Sequence, residues 1–290
     1  MGTLPPPAEV VEAARDASES GTRFADSATL DVAVAGAESV DAGDVRCEDD
    51  AYVGPGAGTF GRLAIATAAV DDRDARLHYQ APDYTASGPW LVFEPLAHRI
   101  ATVQVGRGTA TVAVDAAGRT AHRRIERARE AIDSVLSDAR PRHDHYPVHA
   151  DEDGVFVRGM TTFELKGVES PDDRIVVTFS VSVTPATNRD AVERALAGGN
   201  GDRDVTFEVT RPPVRAAPGT GLRAAAEDAH QTVVGDAAYE WLPEPTVFSA
   251  IAGHDKLAIG PGAPGAEEFT AEQYETGLRV ATGTIDGRPA

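Results

Sequence analysis

The sequence predicts an α/β protein whose main sheet domain is interrupted by an α+β module. Three observations lead there. Short apolar runs alternate with helical segments over residues 1–97, the order expected of a parallel sheet. Near residue 98 the pattern changes to alternating strands around amphipathic helices. After the Pro-rich stretch 211–219 (RPPVRAAPG), helix and strand return in the first style. The chain has 290 residues, 42% of them hydrophobic, enough for about two domains of roughly 150 residues each. The expected division is 1–97 with 215–290 as one domain and 98–214 as the inserted one.

The elements follow in order. Residues 6–20 (PPAEVVEAARDASES) read as a helix with proline at its start and Val10, Val11 and Ala14 on one side. A short strand within 28–40 ends at Gly36, the stretch 41–58 is rich in turn formers, and 61–70 (GRLAIATAAV) is a small-residue helix. Strands are expected at 76–80 (RLHYQ) and 90–96 (WLVFEPL). Residues 100–118 alternate apolar and polar side chains about a Gly-rich centre, the pattern of a half-exposed antiparallel hairpin. The helix at 119–139 carries Ile125, Ala128, Ile132, Val135 and Leu136 on one stripe. Strands at 155–165 and 174–183, a helix at 188–197 and a strand at 204–210 complete the order ββαββαβ. A helix at 221–235, a strand with its turn at 255–262 and a final helix at 267–285 close the chain, which has no internal repeat.

Charge narrows the function. Acidic residues outnumber basic ones 46 to 27, giving a net charge of −19 and a pI near 4.7; only Lys166 and Lys256 are lysines. Such a surface repels phosphate, which argues against nucleic acid and anionic membranes as partners. No apolar run approaches the roughly 20 residues that cross a bilayer, and no leader-like segment opens the sequence, so a cytoplasmic location is expected. Dense carboxylates with almost no lysine suit a halophilic setting, where molar salt screens long-range repulsion. Cys47 is the single cysteine, which excludes an intrachain disulfide and any multi-cysteine zinc site.

Several local patterns carry possible chemistry. Gly56-Ala57-Gly58-Thr59-Phe60-Gly61 fits the spacing of a dinucleotide loop, but the preceding EDDAYV lacks the continuous apolar run of a buried parallel strand. His143, His145 and His149 have the densest imidazole spacing in the chain and lie between Pro141 and Pro147 or just beyond it, as in a polar loop. Glu267 and Glu268 read as a solvated helix start. Ser249 and His254 are close in sequence without a third group to orient them.

A longer comparison absorbs more of the chain. GAESVDAGD (36–44), DDAYVGPGAGTFGRLAIA (49–66), LVFEPL (91–96), a strand pair closing on GRTAH (118–122), FSVSVTP (179–185) and KLAIGPG (256–262) occur in this order. Over roughly 30–275 this series resembles the dizinc exopeptidase and amidohydrolase family that includes acetylornithine deacetylase, succinyl-diaminopimelate desuccinylase and carboxypeptidase G. The resemblance implies a zinc-exopeptidase-like sheet domain interrupted by a ferredoxin-like α+β satellite domain used for dimerisation.

Residue by residue, the chemistry departs from that family. Its first metal turn, Gly-His-x-Asp-Val, stands here as Gly36-Ala37-Glu38-Ser39-Val40. Gly58 occupies the place of the bridging aspartate, and Ala81-Pro82-Asp83-Tyr84 that of the catalytic Glu-Glu pair. Gly260-Pro261-Gly262 is followed by Ala266-Glu267-Glu268 where a histidine ligand is expected, and Ser182 replaces a carboxylate-gripping arginine. Two positions match. Glu94 of Phe93-Glu94-Pro95 corresponds to the Glu-Pro zinc ligand, although a strand end before proline is ordinarily solvated. His122 corresponds to the satellite histidine that polarises the scissile carbonyl, although its Arg- and Glu-rich helix is that of a surface histidine.

Catalytic zinc generally requires about three His or carboxylate ligands. The expectation is therefore a degenerate, non-hydrolytic relative of N-acyl-amino-acid deacylases, with no catalytic residue, no metal and no cofactor. Glu94 and His122 are its candidate substrate-binding residues, a small amino-acid-like ligand and a homodimer its candidate partners. The alternative is an active amidohydrolase holding zinc or cobalt through Glu38, Asp83, Glu94 and Glu267. A remoter one is a nucleotide-binding protein using the 56–61 glycines.

Overall fold

A computed structural model describes residues 4–20, 30–37, 41–79, 88–138, 162–184, 187, 189–197, 203–217, 221–243, 246–251 and 255–287. The chain divides into two compact units, one of residues 1–103, 215–242 and 246–290, the other of 104–214 with 243–245.

In the first unit, helix α1 (Pro7–Ser20) buries Val10 and Ala14. Strand β1 (Leu30–Val34) is buried along its whole length, as a central parallel strand must be. The turn-rich stretch holds a hairpin of β2 (Arg46–Glu48) and β3 (Ala51–Val53), turned at Asp49 and Asp50, both in left-handed backbone. Helix α2 (Ala57–Val70) starts four residues earlier than expected and leads to β4 (Ala75–His78); β5 (Trp90–Phe93) and β6 (Arg99–Gln104) follow.

The second unit holds β7 (Gly106–Asp115), α3 (Ala121–Asp138), β8 (Phe163–Glu169), β9 (Arg174–Val183), α4 (Arg189–Ala197) and β10 (Arg203–Arg211). The chain then returns through β11 (Val214–Arg215), α5 (Gly221–Val233), β12 (Tyr239–Leu242), α6 (Val247–Ala250), β13 (Lys256–Gly260), β14 (Glu268–Thr270) and α7 (Ala271–Asp286).

The main sheet has seven strands, in the order β11-β6-β13-β5-β1-β4 with β12 on β6. β4, β1, β5 and β13 run parallel, and β6 joins β13 antiparallel. Segments from both ends of the sequence thus share one sheet, as the interrupted-domain reading requires. Its core is packed by α1, α2, α5 and α7. Helix α2 is buried on nearly every side, which its small residues allow: Gly61 lies against the Phe269 ring, and Gly277 of α7 against Ile65 and Pro261.

The second unit is a four-stranded antiparallel sheet ordered β10-β7-β9-β8, with α3 and α4 supplying the helices of a β-α-β-β-α-β module. Its core joins Val112, Val177, Phe179 and Phe207 to Ala131, Val135, Val192 and Leu196.

Residues 100–118 do not form the expected hairpin. β6 and β7 enter different sheets, because the polar Thr102 and Gln104 of β6 are buried along with their apolar neighbours. Alternating polarity there did not mean alternating exposure. Residues 267–270, expected as helix, begin with β14, which extends the β2–β3 hairpin into a three-stranded sheet. Of the strand expected at 155–165, residues 155–161 lie outside the described residues; the observed strand runs from Phe163.

Candidate functional site

The parallel strands β1, β5 and β13 end side by side in the first unit. From β1 the chain passes through α2 outward to β4, and β5 then returns on the other flank of β1. This reversal is the switch point at which α/β sheets open a crevice beyond their carboxyl ends. The rim is stitched by backbone bonds: Ala35 N–H donates to the Phe93 carbonyl (3.0 Å), and Glu94 N–H to the Ile259 carbonyl (2.8 Å). Gly58 N–H, at the start of α2, donates to the Ala266 carbonyl (3.3 Å).

Two opposite charges are buried there. Glu94, directly after β5, is 1% exposed, and Arg62 of α2 is 4% exposed. The strand end is therefore not solvated. The Arg62 Nη2 donates to Thr59 Oγ1 (3.0 Å), while Nε and Nη1 are buried without a hydrogen-bond partner. Burial pulls the Arg62 pKa down to about 10, with Glu94 acting in the opposite direction, so the guanidinium is charged at neutral pH.

Glycines border this side chain, two of them at ordinary contact distance and one where no Cβ fits. A Cβ on Gly58 would stand 3.5 Å from the Arg62 Nη1, and one on Gly262 3.9 Å from it. On Gly260, whose φ of +152° already favours glycine, a Cβ would meet the Glu94 carbonyl at 2.2 Å and Arg62 Cδ at 3.3 Å.

A pocket of about 380 Å³ adjoins Gly262 and is lined by Ala97, His98, Ala263, Glu272 and Thr276. Ala97 and His98 both adopt left-handed backbone (φ 49° and 62°), held by N–H bonds to the carbonyls of Gly262 and Gly260 (2.9 Å each). Such conformations cost about 1–3 kcal/mol each and persist where the surroundings over-determine them. Burial, then the nearby His230, lowers the His98 pKa, and Glu272 opposes the shift.

No protein-family model matches the sequence, and no curated protein matches it. Solved structures match it in fold. Aminopeptidase PepT from Bacillus cereus aligns with a TM-score of 0.57 at 12% identity, covering 97% of this chain and 91% of that one. The M20 family metallo-carboxypeptidase Sso-CP2 from Sulfolobus solfataricus gives 0.54 at 11% identity, covering 95% and 93%. Human carnosine dipeptidase 1 gives 0.54 at 13% identity, covering 91% and 81%. The chain has the M20 metallopeptidase fold.

An M20-type fold raises the question of metal. Of the residues placed at the strand-end rim above, Glu94 brings a carboxylate, Ala37 and Gly58 bring no donor side chain, and Arg62 brings a buried guanidinium. Among the described residues no group of three or more His, Cys, Asp or Glu side chains is gathered as a metal site. These residues do not fit a zinc centre, which needs about three ligands and tolerates no adjacent fixed cation without cost. Of the substitute ligands considered, Glu38 and Asp83 lie outside the described residues, and Glu267 is exposed, its carbonyl accepting from Gly54 N–H (2.9 Å).

The remaining candidates are dispersed. His122 opens α3 in the second unit, its side chain 81% exposed and its Nε2 3.2 Å from Glu126 Oε1. Ser182 accepts a hydrogen bond from Arg107 Nη1 (2.7 Å). The 56–61 glycines follow β3, a short strand of the separate antiparallel sheet, and Gly61 is a packing glycine against Phe269. That context is not the strand–turn–helix of a dinucleotide site. His143, His145, His149 and His254 lie outside the described residues, and Cys47 is exposed. Arg62 and His98 were missed. The signal for Arg62 is a lone charge inside the otherwise small and apolar helix 57–70; for His98, no sequence signal marks the left-handed backbone.

Proposed function

We propose that this chain is a non-hydrolytic relative of the M20 peptidases and amidohydrolases, retaining the fold for binding and for self-association. The observation that carries the reading is the setting of Glu94: the carboxylate is buried at the strand-end rim, and among the described residues no group of three or more His, Cys, Asp or Glu side chains gathers there. A bound water cannot be activated for hydrolysis without either a metal or a base placed beside it. The pocket beside Gly262, with neutral His98 and the Glu272 carboxylate, suits a small amino-acid-like ligand. Association of two copies through the second unit, with His122 at the partner's ligand, is the remaining part of the proposal.

The test is metal content and turnover. After dialysis against zinc or cobalt in high salt, elemental analysis is expected to find well under one ion per chain. A panel of dipeptides and N-acyl amino acids is expected to remain uncleaved. One or more ions per chain, with cleavage abolished by Glu94→Ala, would falsify the reading in favour of an active metal-dependent amidohydrolase. Free amino acids at about 100 times their Kd should stabilise the fold by roughly 2.7 kcal/mol, visible as a thermal shift.

A further inference from the structure

We infer that the Arg62 guanidinium and the N-terminal turn of helix α2 together form a binding site for a small monovalent anion, of halide or formate size. Two independent observations meet there. The first is the helix start. α2 runs for 14 residues, its N-cap Gly56 makes no side-chain capping bond, and its first turn carries no acidic residue. The positive pole of the helix dipole therefore has no carboxylate in that turn to complement it. The second is Arg62, which is 4% exposed. Its side chain leans back along the helix, as helical side chains do. Nη2 donates to Thr59 Oγ1 (3.0 Å), and Nη1 lies 3.5 Å from the place a Cβ on Gly58 would take, both residues belonging to the first turn. The donors on Nε and Nη1 are buried without a hydrogen-bond partner.

Chemistry selects the occupant. A guanidinium stays charged when buried, and burying its N–H groups without an acceptor is strongly unfavourable. Nε carries one N–H and Nη1 two, and a charged acceptor satisfies them better than a neutral one. The backbone N–H groups of the turn are engaged already: Ala57 donates to the Gly54 carbonyl, Gly58 to Ala266 and Phe60 to Gly56. Hydrogen bonds to an anion therefore come from the guanidinium, and the helix adds its field. A methyl on Gly58 or Gly262 would already touch Nη1 (3.5 and 3.9 Å), so with glycine at both positions neither residue covers that atom with a side chain. Nε and Nη1 are closed off from solvent, which limits the occupant to an ion about the size of a water molecule. Glu94 shares the rim and accepts from neither atom; as an anion itself it limits the site to a single negative charge.

Bromide provides the test. In crystals equilibrated with molar sodium bromide, anomalous scattering is expected to place one bromide within hydrogen-bond distance of Arg62 Nη1 or Nε. Displacement by sodium formate identifies a carboxylate as a second occupant, and retention a halide alone; both support the site. Water alone at Arg62, with bromide only at exposed arginines, overturns the inference. In solution, chloride at about ten times its Kd should raise Tm by roughly 3 °C relative to gluconate at equal ionic strength, an anion too large for the enclosed site. Arg62→Met should lose that chloride-specific increment and keep the general response to salt. An increment of equal size in Arg62→Met overturns the inference as well. Should Arg62→Met fail to fold, the bromide positions in the wild-type protein decide alone. None of these readouts depends on hydrolysis, so metal content and turnover judge the non-hydrolytic proposal separately.

Discussion

At the scale of single residues, burial of polar groups decides most of what is unusual. Lys256 is 5% exposed at the start of β13, and its ammonium donates to the Phe248 and Ile251 carbonyls (2.9 and 2.7 Å) over the Phe248 ring. Burial lowers its pKa to about 8. Between that value and the ordinary lysine value the unfolded chain holds a proton that the folded chain has shed, so stability rises with pH there. Tyr52, Tyr239 and Tyr274 have raised pKa values, chiefly through burial. Their contribution is present below the ordinary tyrosine value near 10 and is lost as pH rises beyond it. Denaturant titrations from about pH 7 to 11 should therefore show stability rising above about pH 8 and turning down above about 10. Lys256→Met should flatten the rise and leave the fall. A rise unchanged in the variant would show that Lys256 is not its source. Glu94 is singled out in the sequence because it ends an apolar strand before Pro95, although its burial is not legible there. The burial of Arg62 is not legible either, because nothing in local sequence tells which face of α2 meets the strand ends.

At the scale of elements, close packing of α2 positions the site. Gly61 allows α2 to rest on Phe269, and a Cβ there would come within 2.2–2.5 Å of three ring atoms. Alanine is the better helix former by about 1 kcal/mol, but overpacking against a fully buried ring typically costs 1–3 kcal/mol and wins. Gly61→Ala is expected to destabilise the protein by about 2 kcal/mol in urea titration, with part of the loss recovered by Phe269→Leu. A neutral Gly61→Ala would mean that α2 can shift away without consequence. The sequence places the turn-rich stretch at 41–58 and starts the helix only at Gly61, because the preceding glycines resemble turn formers. In fact Gly56 is the left-handed N-cap, and Gly58 and Gly61 serve contacts inside the helix. The strands at 90–93 and 256–260 were legible because both are continuously apolar apart from Lys256, as buried parallel strands are. β6 was misread because its two polar side chains are internal.

At the scale of the molecule, the net charge of −19 is spread over 290 residues with few lysines to offset it. Self-repulsion of that size destabilises a compact state in dilute buffer and is screened once the Debye length falls to a few ångströms. Raising salt from about 0.1 M to about 2 M is expected to increase Tm by roughly 10 °C or more. A flat or falling dependence would remove the halophilic reading of the composition. The excess charge says nothing about metal. Forty-six carboxylates are distributed over the chain, yet the described ones do not gather into a ligand set.

The insertion has a simple topology. β6 and β11, which lead into and out of the second unit, are neighbours in the main sheet, and Ala216 N–H donates to the Thr102 carbonyl (2.7 Å). At Gly106 the outgoing chain passes so close to Arg211 and Pro213 that no Cβ fits. Departure and return points therefore lie side by side, and for the sheet domain the whole module is the loop of a hairpin. Loop closure costs only about 0.6 kcal/mol for each doubling of length, so replacing a tight turn by a cassette of more than a hundred residues adds about 3 kcal/mol of closure entropy at most. The sheet domain is, in that sense, indifferent to what it carries.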